Sequence, residues 1–390
     1  MKTQRFAGPG FAGPATLALA GAIALTGCGS DNNSSGSGSG SGASSSASSA
    51  GSSGTSAAGG NADCGKSTIN AEGSSAQKAA FEEAANSFQE KCQGATINYN
   101  ATGSGAGIKQ FIAKQADFAG SDSALKSTPK DGKIEQQEAD KACGSPAWNL
   151  PMVTGPIAVG YKLGGVDSLT LNADVLADIF NGKITKWNDP AIAKLNSGAS
   201  LPDKDIKVFF RSDESGTTEN FTKYLKAAAP AKWTAEPGKK WTGKGEGKEK
   251  SAGVSGAVAA TDGGITYAEW SYAKDNKLGI AKIDTGAGAV ELTGESAGKA
   301  VAAAKVAGQG NNLALKLDYA TKEAGAYPIV LVTYEIVCSK ATDAEKGKTI
   351  KAFLKHMSSA ETQKSFEQIG FAPLPTEVQS KVATAIDALQ

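Results

Sequence analysis

The sequence has 390 residues, which at roughly 100–200 residues per domain allows two domains or three. It contains 40 Lys and Arg against 39 Asp and Glu, and this balance argues against a nucleic-acid-binding tail or a polybasic membrane patch. The single histidine, His356, excludes Ser-His-Asp and Cys-His nucleophile arrangements unless it is itself the base. It also excludes a zinc site that needs two imidazoles.

The N-terminus is typical of an exported lipoprotein. A short basic region precedes an apolar stretch that ends at Leu25, and small residues then lead to Cys28. This pattern predicts a lipoprotein signal peptide over residues 1–27, followed by lipid modification of Cys28 with palmitate or a similar chain. The alternative is an ordinary secretory signal with a chance cysteine. The apolar run is shorter than the ~20 residues that span a membrane as a helix.

Residues 28–62 consist almost entirely of Ser, Gly, Ala and Asn after the cysteine. Such a composition buries too little apolar surface to offset the entropy of ordering. It predicts a flexible tether between a lipid anchor and a folded body. The protein is therefore expected at the outer face of the cell membrane.

Four cysteines remain in the body: Cys64, Cys92, Cys143 and Cys338. An even number in an exported chain predicts two disulfides, for which three connectivities exist. Cys64 opens the first predicted strand and Cys92 ends the first predicted helix, which runs back antiparallel to that strand. This geometry favours Cys64–Cys92 and leaves Cys143–Cys338, with free thiols as the alternative. No Cys-x-x-Cys pair is present, so neither a metal nor another cofactor is predicted.

The body alternates β-branched segments with helical periodicity. The first part predicts, in order, a strand at 67–70, a helix at 76–91, a strand at 96–100, a helix at 108–115 and a strand at 118–121. The rest predicts an extended run at 153–163, helices at 173–181 and 190–196, a strand at 207–211, a loop and helix at 212–225, a strand at 264–267, a helix at 268–276, an extended run at 327–338 and helices at 344–358, 360–370 and 375–389. Residues 239–250 are Gly/Lys-rich and predict a surface loop.

The order of elements predicts α/β architecture with a parallel sheet and right-handed crossovers. Extended segments near residues 150–160 and 320–332 connect two α/β bodies. The predicted lobe I comprises residues 63–154 and 326–390, and lobe II comprises residues 155–325.

Two junctions between a predicted strand and a helix carry small hydroxyl residues and glycine. Ser74 and Ser75 precede the first helix, and Thr-Gly-Ser-Gly-Ala-Gly at 102–107, which contains Ser104, precedes the second. Helix N-termini at strand ends favour anions. The second loop lacks the Gly-Lys-Ser/Thr of a phosphate-binding P-loop and the third glycine of a dinucleotide fingerprint. A simple N-cap and a flexible loop are the alternatives.

A third junction, Arg211-Ser-Asp-Glu-Ser-Gly-Thr-Thr, is the most specific. The guanidinium of Arg211 can bind two oxyanion oxygens, and Ser215, Gly216 and Thr217 offer hydroxyl and N–H donors. Asp213 can hold the guanidinium in place. The alternative is an arginine in a surface ion pair beside a capped helix.

Asp122 also follows a predicted strand, where a turn or N-cap role is the alternative. An ionised carboxylate only accepts hydrogen bonds, so it suits an anion that carries a proton. Phosphate keeps a proton near neutral pH and sulfate does not. Asp122 therefore predicts selection against sulfate.

With these residues in view, the chain resembles the PstS family, the phosphate-binding proteins of Pst ABC transporters, over about residues 65–390. The three junctions match the family in order and spacing. Further matches are Ala-Asp-Ile-Phe-Asn-Gly-Lys-Ile-Thr-Lys-Trp at 177–187, Gly-Gly-Ile-Thr-Tyr-Ala-Glu at 263–269 and Tyr-Pro-Ile at 327–329. The resemblance implies a type II periplasmic-binding-protein fold, in which two α/β lobes joined by two extended hinge segments close over one phosphate.

The resemblance also implies the ligand set. Phosphate would be bound by Ser74, Ser75, Ser104, Asp122, Arg211, Ser215, Gly216 and Thr217. Ser74 would supply its hydroxyl and N–H, Asp122 would accept the phosphate proton, and Asp213 would brace Arg211. The first junction reads Gly-Ser-Ser where many members have Ala-Thr and an aromatic residue, so the donors at 74–75 stay open.

The function implied is capture of phosphate outside the cytoplasm, without covalent chemistry. A monomer would deliver phosphate to the permease subunits of an ABC importer with a cytoplasmic ATPase. The tether and lipidation motif fit a Gram-positive version. Alternatives are a phosphatase with Ser104 or Ser215 as nucleophile, a sulfate- or molybdate-binding protein, and a surface adhesin.

Overall fold

The structure is a computed structural model that describes residues 64–129 and 132–390. The predicted signal peptide (1–27), the lipidation site Cys28 and the whole tether (28–62) lie outside the described residues, so these predictions stay untested. Within the described ranges, no helix is long and apolar enough to cross a membrane.

Strands and helices alternate along the described chain. The strands are β1 (Thr68–Gly73), β2 (Thr96–Asn100), β3 (Phe118–Ser121), β4 (Ala147–Lys162), β5 (Thr170–Asn172), β6 (Lys207–Arg211), β7 (Glu246–Lys248), β8 (Gly264–Glu269), β9 (Gly279–Ile280), β10 (Lys282–Asp284), β11 (Ala289–Val290), β12 (Lys305–Val306), β13 (Leu315–Lys316) and β14 (Val330–Cys338). The helices are α1 (Lys78–Lys91), α2 (Ser104–Ile112), α3 (Glu135–Cys143), α4 (Ala173–Phe180), α5 (Pro190–Leu195), α6 (Gly216–Ala228), α7 (Lys250–Ala259), α8 (Trp270–Asp275), α9 (Gly294–Ala302), α10 (Ala344–Met357), α11 (Ala360–Gln368) and α12 (Thr376–Asp387).

The first part of the chain forms the predicted parallel unit. Strand β1 lies between β2 and β3 and is parallel to both. The face of α1 that the helical spacing selects is the face that is buried, namely Ala80, Phe81, Ala84, Ala85 and Phe88. The predicted order β-α-β-α-β is confirmed. A local sequence pattern could predict it because each helix packs on strands that are its neighbours in the chain.

Two long strands connect this unit to the rest of the sheet. The main sheet has the order β2-β1-β3-β14-β4-β8-β6-β7, with β9 also paired to β4. The first part of β4 pairs with the antiparallel β14, and its last residues, Ile157–Lys162, pair with β8. Strand β4 therefore contains the first predicted extended connection and belongs to both halves of the molecule.

The core is divided in the same way. One hydrophobic cluster contains Phe81, Phe118 and Phe353, and another contains Trp187 and Phe221. The larger cluster takes residues from the middle of the chain and from the first part of β14. The predicted lobe boundaries after residues 154 and 325 remain a prediction.

Both predicted disulfides are confirmed. Cys64 is bonded to Cys92, and Cys143 is bonded to Cys338. The second bond joins the end of α3 to the end of β14.

Some elements differ from the sequence predictions. Helices α3, α7 and α9 were not predicted, because α3 buries only Ala139 and Cys143 and α7 is rich in Gly, Ala and Ser. The predicted surface loop at 239–250 is wrong in part. Its last residues form β7, which pairs with β6, and the Lys239 side chain is only 9% exposed.

Candidate functional site

The polar residues that follow β1 and β3 meet around Asp122. Hydroxyl groups of Ser74, Ser104 and Thr333 donate to its carboxylate at 2.5, 3.0 and 2.7 Å. Asp122 is only 3% exposed. Three sequence-predicted residues thus lie together because β1 and β3 are neighbours and α2 follows the adjoining β2.

Burial raises the pKa of Asp122 to about 6, against the hydrogen bonds from Ser74, Thr333 and Ser104 and with added repulsion from Glu269. At neutral pH the carboxyl is therefore mostly ionised and accepts hydrogen bonds without donating any. A ligand atom that reaches Asp122 must bring a proton or displace one of the three hydroxyls.

The first junction places its two serines differently. The N–H of Ser74 donates to the carbonyl of Gly120 at 2.8 Å, and its hydroxyl accepts from the N–H of Ala76 at 3.0 Å. The expectation that the Ser74 N–H faces the ligand is therefore not met in this arrangement, whereas its hydroxyl faces Asp122. The Ser75 hydroxyl lies 3.0 Å from that of Ser251.

The second junction is a helix start and not a loop. Helix α2 begins at Ser104, four residues before the predicted start at Ile108. Gly103 has φ +104°, which L residues rarely adopt, and a Cβ at Gly107 would lie 2.5 Å from the Glu72 carbonyl oxygen. The glycines thus let the first turn of α2 lie directly against β1, which places Ser104 beside Asp122.

Arg211 ends β6 and is 2% exposed. Asp213 accepts from its Nε at 2.7 Å and from its Nη2 at 2.5 Å. Nη1 points the other way, to the hydroxyls of Ser251 at 3.0 Å and Thr217 at 3.4 Å. Burial by itself would lower the pKa of Arg211, but Asp213 outweighs it and raises the pKa, so the guanidinium stays charged.

The N-terminus of α6 points toward Asp122. Ser215 caps the helix by accepting from the Thr218 N–H at 3.2 Å, while its own N–H donates to the carbonyl of Lys239. Gly216 is so close that a Cβ there would lie 2.5 Å from the Cβ of Asp122. Because the helix begins at Gly216, it directs its positive end at this point.

Three site residues were not predicted: Ser251, Glu269 and Thr333. Glu269 accepts a short hydrogen bond from Thr217 and is 1% exposed. It lies within the Gly-Gly-Ile-Thr-Tyr-Ala-Glu segment, which was a usable signal. Ser251 and Thr333 are placed by the packing of α7 and β14, for which the sequence offers no local signal.

His356 lies elsewhere. Its Nε2 is 2.7 Å from the hydroxyl of Ser87, and burial lowers its pKa. It is the only histidine in the chain, and it is bonded to neither Ser104 nor Ser215. Within the part of the chain that the structure describes, no group of three His, Cys, Asp or Glu could hold a metal.

The arrangement suits a small oxyanion that carries a proton. Arg211 supplies a fixed positive charge, the helix N-termini supply N–H groups, and serine and threonine hydroxyls surround the point where the elements meet. Two carboxylates, Asp122 and Glu269, add acceptors to an otherwise donor-rich set.

This fold and this donor set define a solute-binding protein, and residues 41–361 match the PBP superfamily domain. The chain is similar to phosphate-binding protein PstS 3 of Mycobacterium tuberculosis, with 45% identity over 376 residues (95% of this chain, 96% of that protein). It is 44% identical to PstS 2 of the same species over 380 residues (96% and 97%). The chain therefore belongs to the PstS family of phosphate-binding proteins.

Solved structures agree on the fold. The periplasmic phosphate-binding protein PfluDING, bound with phosphate, has a TM-score of 0.65 at 22% identity, covering 82% of this chain and 93% of that one. The phosphate-binding protein from Stenotrophomonas maltophilia has a TM-score of 0.64 at 20% identity, with the same coverage. The predicted type II fold of two α/β lobes is confirmed.

Proposed function

We propose that this protein binds inorganic phosphate outside the cytoplasm and delivers it to an ABC importer by closing its two lobes around the anion. It makes and breaks no covalent bond. The observation that carries the proposal is the buried Asp122 carboxyl within a set of hydroxyl donors, with the Asp213-braced guanidinium of Arg211 in the same site.

In this proposal, Ser74, Ser104 and Thr217 turn their hydroxyls from the carboxylates to the phosphate oxygens. Arg211 neutralises the anion bidentately, through Nη1 and the second N–H of Nη2, since Asp213 occupies Nε and only one N–H of Nη2. The N–H groups of Ser75, Gly216 and Thr217 complete the donor set, with Ser215 holding the start of α6. The relatives named above, which are called phosphate-binding proteins, support this assignment.

Asp122 supplies the selectivity in this proposal. The O–H of monohydrogen phosphate donates a hydrogen bond to the carboxylate, whereas sulfate at neutral pH has no proton and meets a charge repulsion in a buried site. The same argument disfavours molybdate.

The N-terminal segment determines where the protein would act in the cell. The Cys28 motif supports a lipid anchor at the outer face of the membrane, and the segment after it supports a tether. We infer that the monomeric protein meets the permease subunits of the importer there, and that closure creates the surface they recognise.

The test is calorimetric titration of the purified protein, stripped of bound anion, with phosphate and separately with sulfate. We expect tight binding of one phosphate and no heat from sulfate. Equal binding of sulfate would reject the role of Asp122. Binding of neither anion would reject the function and favour an adhesin, and turnover of a phosphate ester would favour a hydrolase.

A further inference from the structure

A second polar cluster lies directly behind the candidate site, with two buried members and one half-buried member, Tyr99. It consists of Gln77, Tyr99 and Glu335, which come from the start of α1, from β2 and from β14. Glu335 pairs in register with Gly120, the residue two before Asp122. A Cβ at Gly120 would lie 2.2 Å from Nε2 of Gln77 and 2.5 Å from the hydroxyl of Tyr99. The glycine therefore makes the room that the cluster occupies.

Hydrogen bonds connect this cluster to the site. Gln77 donates through Nε2 to the Tyr99 hydroxyl at 3.0 Å, and Tyr99 donates to the carbonyl of Ser74 at 2.7 Å. The Ser74 hydroxyl in turn donates to Asp122. A change of charge within the cluster can thus reach the residues that face the ligand through two hydrogen-bonded side chains.

Glu335 is the charged member of the cluster. It is 0% exposed, and neither of its carboxyl oxygens has a hydrogen-bond partner among the described residues. The same is true of Oε1 of Gln77. An ionised carboxylate without partners is costly in such a place, whereas a protonated one is a neutral donor.

The electrostatic surroundings agree with this geometry. Burial raises the pKa of Glu335 to about 8, the Gln77 amide partly opposes the shift, and Asp122 adds to it. Tyr99 is the other titratable group that interacts with Glu335, and its pKa is raised well above the usual value, so it is neutral. At neutral pH the uncharged form of the cluster is therefore favoured.

We propose that Glu335 is a positioning residue that must be protonated for tight phosphate binding, and that its ionisation weakens binding of the anion. This inference rests on the proposed function. A protonated Glu335 leaves Asp122 as the single negative charge of the first lobe at the ligand. An ionised Glu335 adds a second charge behind it and disturbs the Gln77–Tyr99 contacts that hold the Ser74 carbonyl.

The direction of the pH dependence follows from linkage. Bound phosphate brings negative charge close to Asp122 and makes ionisation of Glu335 harder, so the pKa of Glu335 rises further in the complex. Above about pH 8, binding then takes up a proton, and the affinity falls by up to about tenfold for each pH unit. Phosphate itself is fully in its dianionic form at pH 8.5–9.5 and contributes no such change there.

The experiment compares wild-type protein with Glu335→Gln, which keeps the size and is neutral at every pH. Phosphate affinity is measured by calorimetry from pH 6.5 to 9.5, in two buffers of different ionisation enthalpy so that proton uptake is obtained directly. We expect equal affinity at pH 7, about tenfold tighter binding by the variant at pH 9, and proton uptake at pH 8.5–9 only in the wild type.

Glu83→Gln, at an exposed position of α1, serves as the control and should follow the wild-type profile. Parallel pH profiles for wild type and Glu335→Gln, with no proton uptake by the wild type, would overturn the inference while leaving phosphate binding intact. Failure of the wild type to bind phosphate at any pH would instead overturn the proposed function. If Glu335→Gln does not fold, the wild type alone provides the test. Proton uptake on phosphate binding at pH 8.5–9 would support the inference, and no uptake would overturn it.

Discussion

Asp122 shows how a single residue can make a donor-rich site selective. Its carboxylate already accepts three hydroxyl hydrogen bonds in a position that is almost completely buried. An oxyanion that takes over these hydroxyls must also satisfy the carboxylate, and only a protonated oxyanion can do so.

Asp122→Asn tests this argument, because the amide has the same shape and can donate as well as accept. We expect phosphate to bind more weakly and sulfate to bind measurably, so that the phosphate-over-sulfate ratio falls by about 100-fold or more, equivalent to about 2.7 kcal/mol. Competition calorimetry measures the ratio. Asp203→Asn, at an exposed position paired with Lys186, is the control. An unchanged ratio in Asp122→Asn would contradict the proton-acceptor argument.

Glu219 is another buried carboxylate, with a structural role. Its oxygens lie 3.0 Å from Lys223, 3.5 Å from Lys126 and 3.5 Å from Lys239. Burial by itself would raise its pKa, but the lysines outweigh burial and lower the pKa to about 2. Lys239 is 9% exposed and would keep only Glu135 at 3.8 Å if Glu219 were neutral.

Glu219→Gln should therefore lower the free energy of unfolding by about 3–5 kcal/mol at pH 7, because it leaves lysine charge buried without its main partner. The pKa of Glu219 is lower in the folded state than the usual 4.5. Its stabilisation is thus complete above about pH 4.5 and is lost as the pH falls toward 2. Urea unfolding at several pH values measures this. A difference between wild type and variant that stays constant below pH 4 would reject the assignment.

At the scale of secondary structure, strands and helices with their own sequence pattern were predictable. Pairings between distant parts of the chain were not. The strands at 96–100, 118–121 and 207–211 have the predicted bounds, because each carries its own β-branched or aromatic pattern. The junctions that hold Ser104, Asp122 and Arg211 followed from these strands. Helix α7 and its Ser251 were missed because a Gly/Ala/Ser-rich helix has little amphipathic pattern.

The same contrast applies within the site. Asp213 could be assigned to Arg211 because the two residues are neighbours in sequence. Thr333 and Glu335 could not be assigned, because they reach Asp122 and Gln77 only through the antiparallel pairing of β14 with β3. That pairing joins parts of the chain that are more than 200 residues apart, and no local pattern encodes it.

The two disulfides connect secondary-structure elements, and their contributions to the free energy of unfolding should differ. Cys64–Cys92 closes a separation of 28 residues and Cys143–Cys338 a separation of 195, and neither loop contains the other. On chain-entropy grounds, the double replacement Cys143→Ser/Cys338→Ser should cost about 1.5–2 kcal/mol more unfolding free energy than Cys64→Ser/Cys92→Ser. Urea unfolding of both variants measures the difference. A larger loss from the shorter loop would show that native packing, and not loop closure, dominates.

At the scale of the whole molecule, contacts join the two sides of the site. The Gly105 N–H donates to the carbonyl of Glu214 at 3.0 Å, and Lys109 pairs with the Glu214 carboxylate at 2.6 Å. On the other side, the Tyr272 hydroxyl donates to the carbonyl of Ser75 at 3.2 Å. Each of these contacts links a residue of the predicted lobe I to one of lobe II, so the arrangement corresponds to a closed cleft.

Gly216→Ala tests whether this closure and phosphate binding are one event. The new Cβ would lie 2.5 Å from the Cβ of Asp122 and 2.6 Å from the Ser104 hydroxyl oxygen, so the two sides could not approach to the same distance. Alanine is at least as favourable as glycine in a helix, so the fold of lobe II should be retained. We expect phosphate affinity to fall by about 100-fold or more, about 2.7 kcal/mol, with little loss of thermal stability.

Small-angle scattering then separates closure from direct binding. Wild-type protein should become more compact when phosphate is added, and Gly216→Ala should not, even at phosphate concentrations that saturate it by calorimetry. Gly256→Ala is the matched control, because that helical glycine has open space where its Cβ would be. It should bind phosphate and become compact as the wild type does. Compaction of Gly216→Ala to the wild-type extent would mean that the cleft closes without the contact between α6 and Asp122, and the closure mechanism would then have to lie in the hinge strands alone.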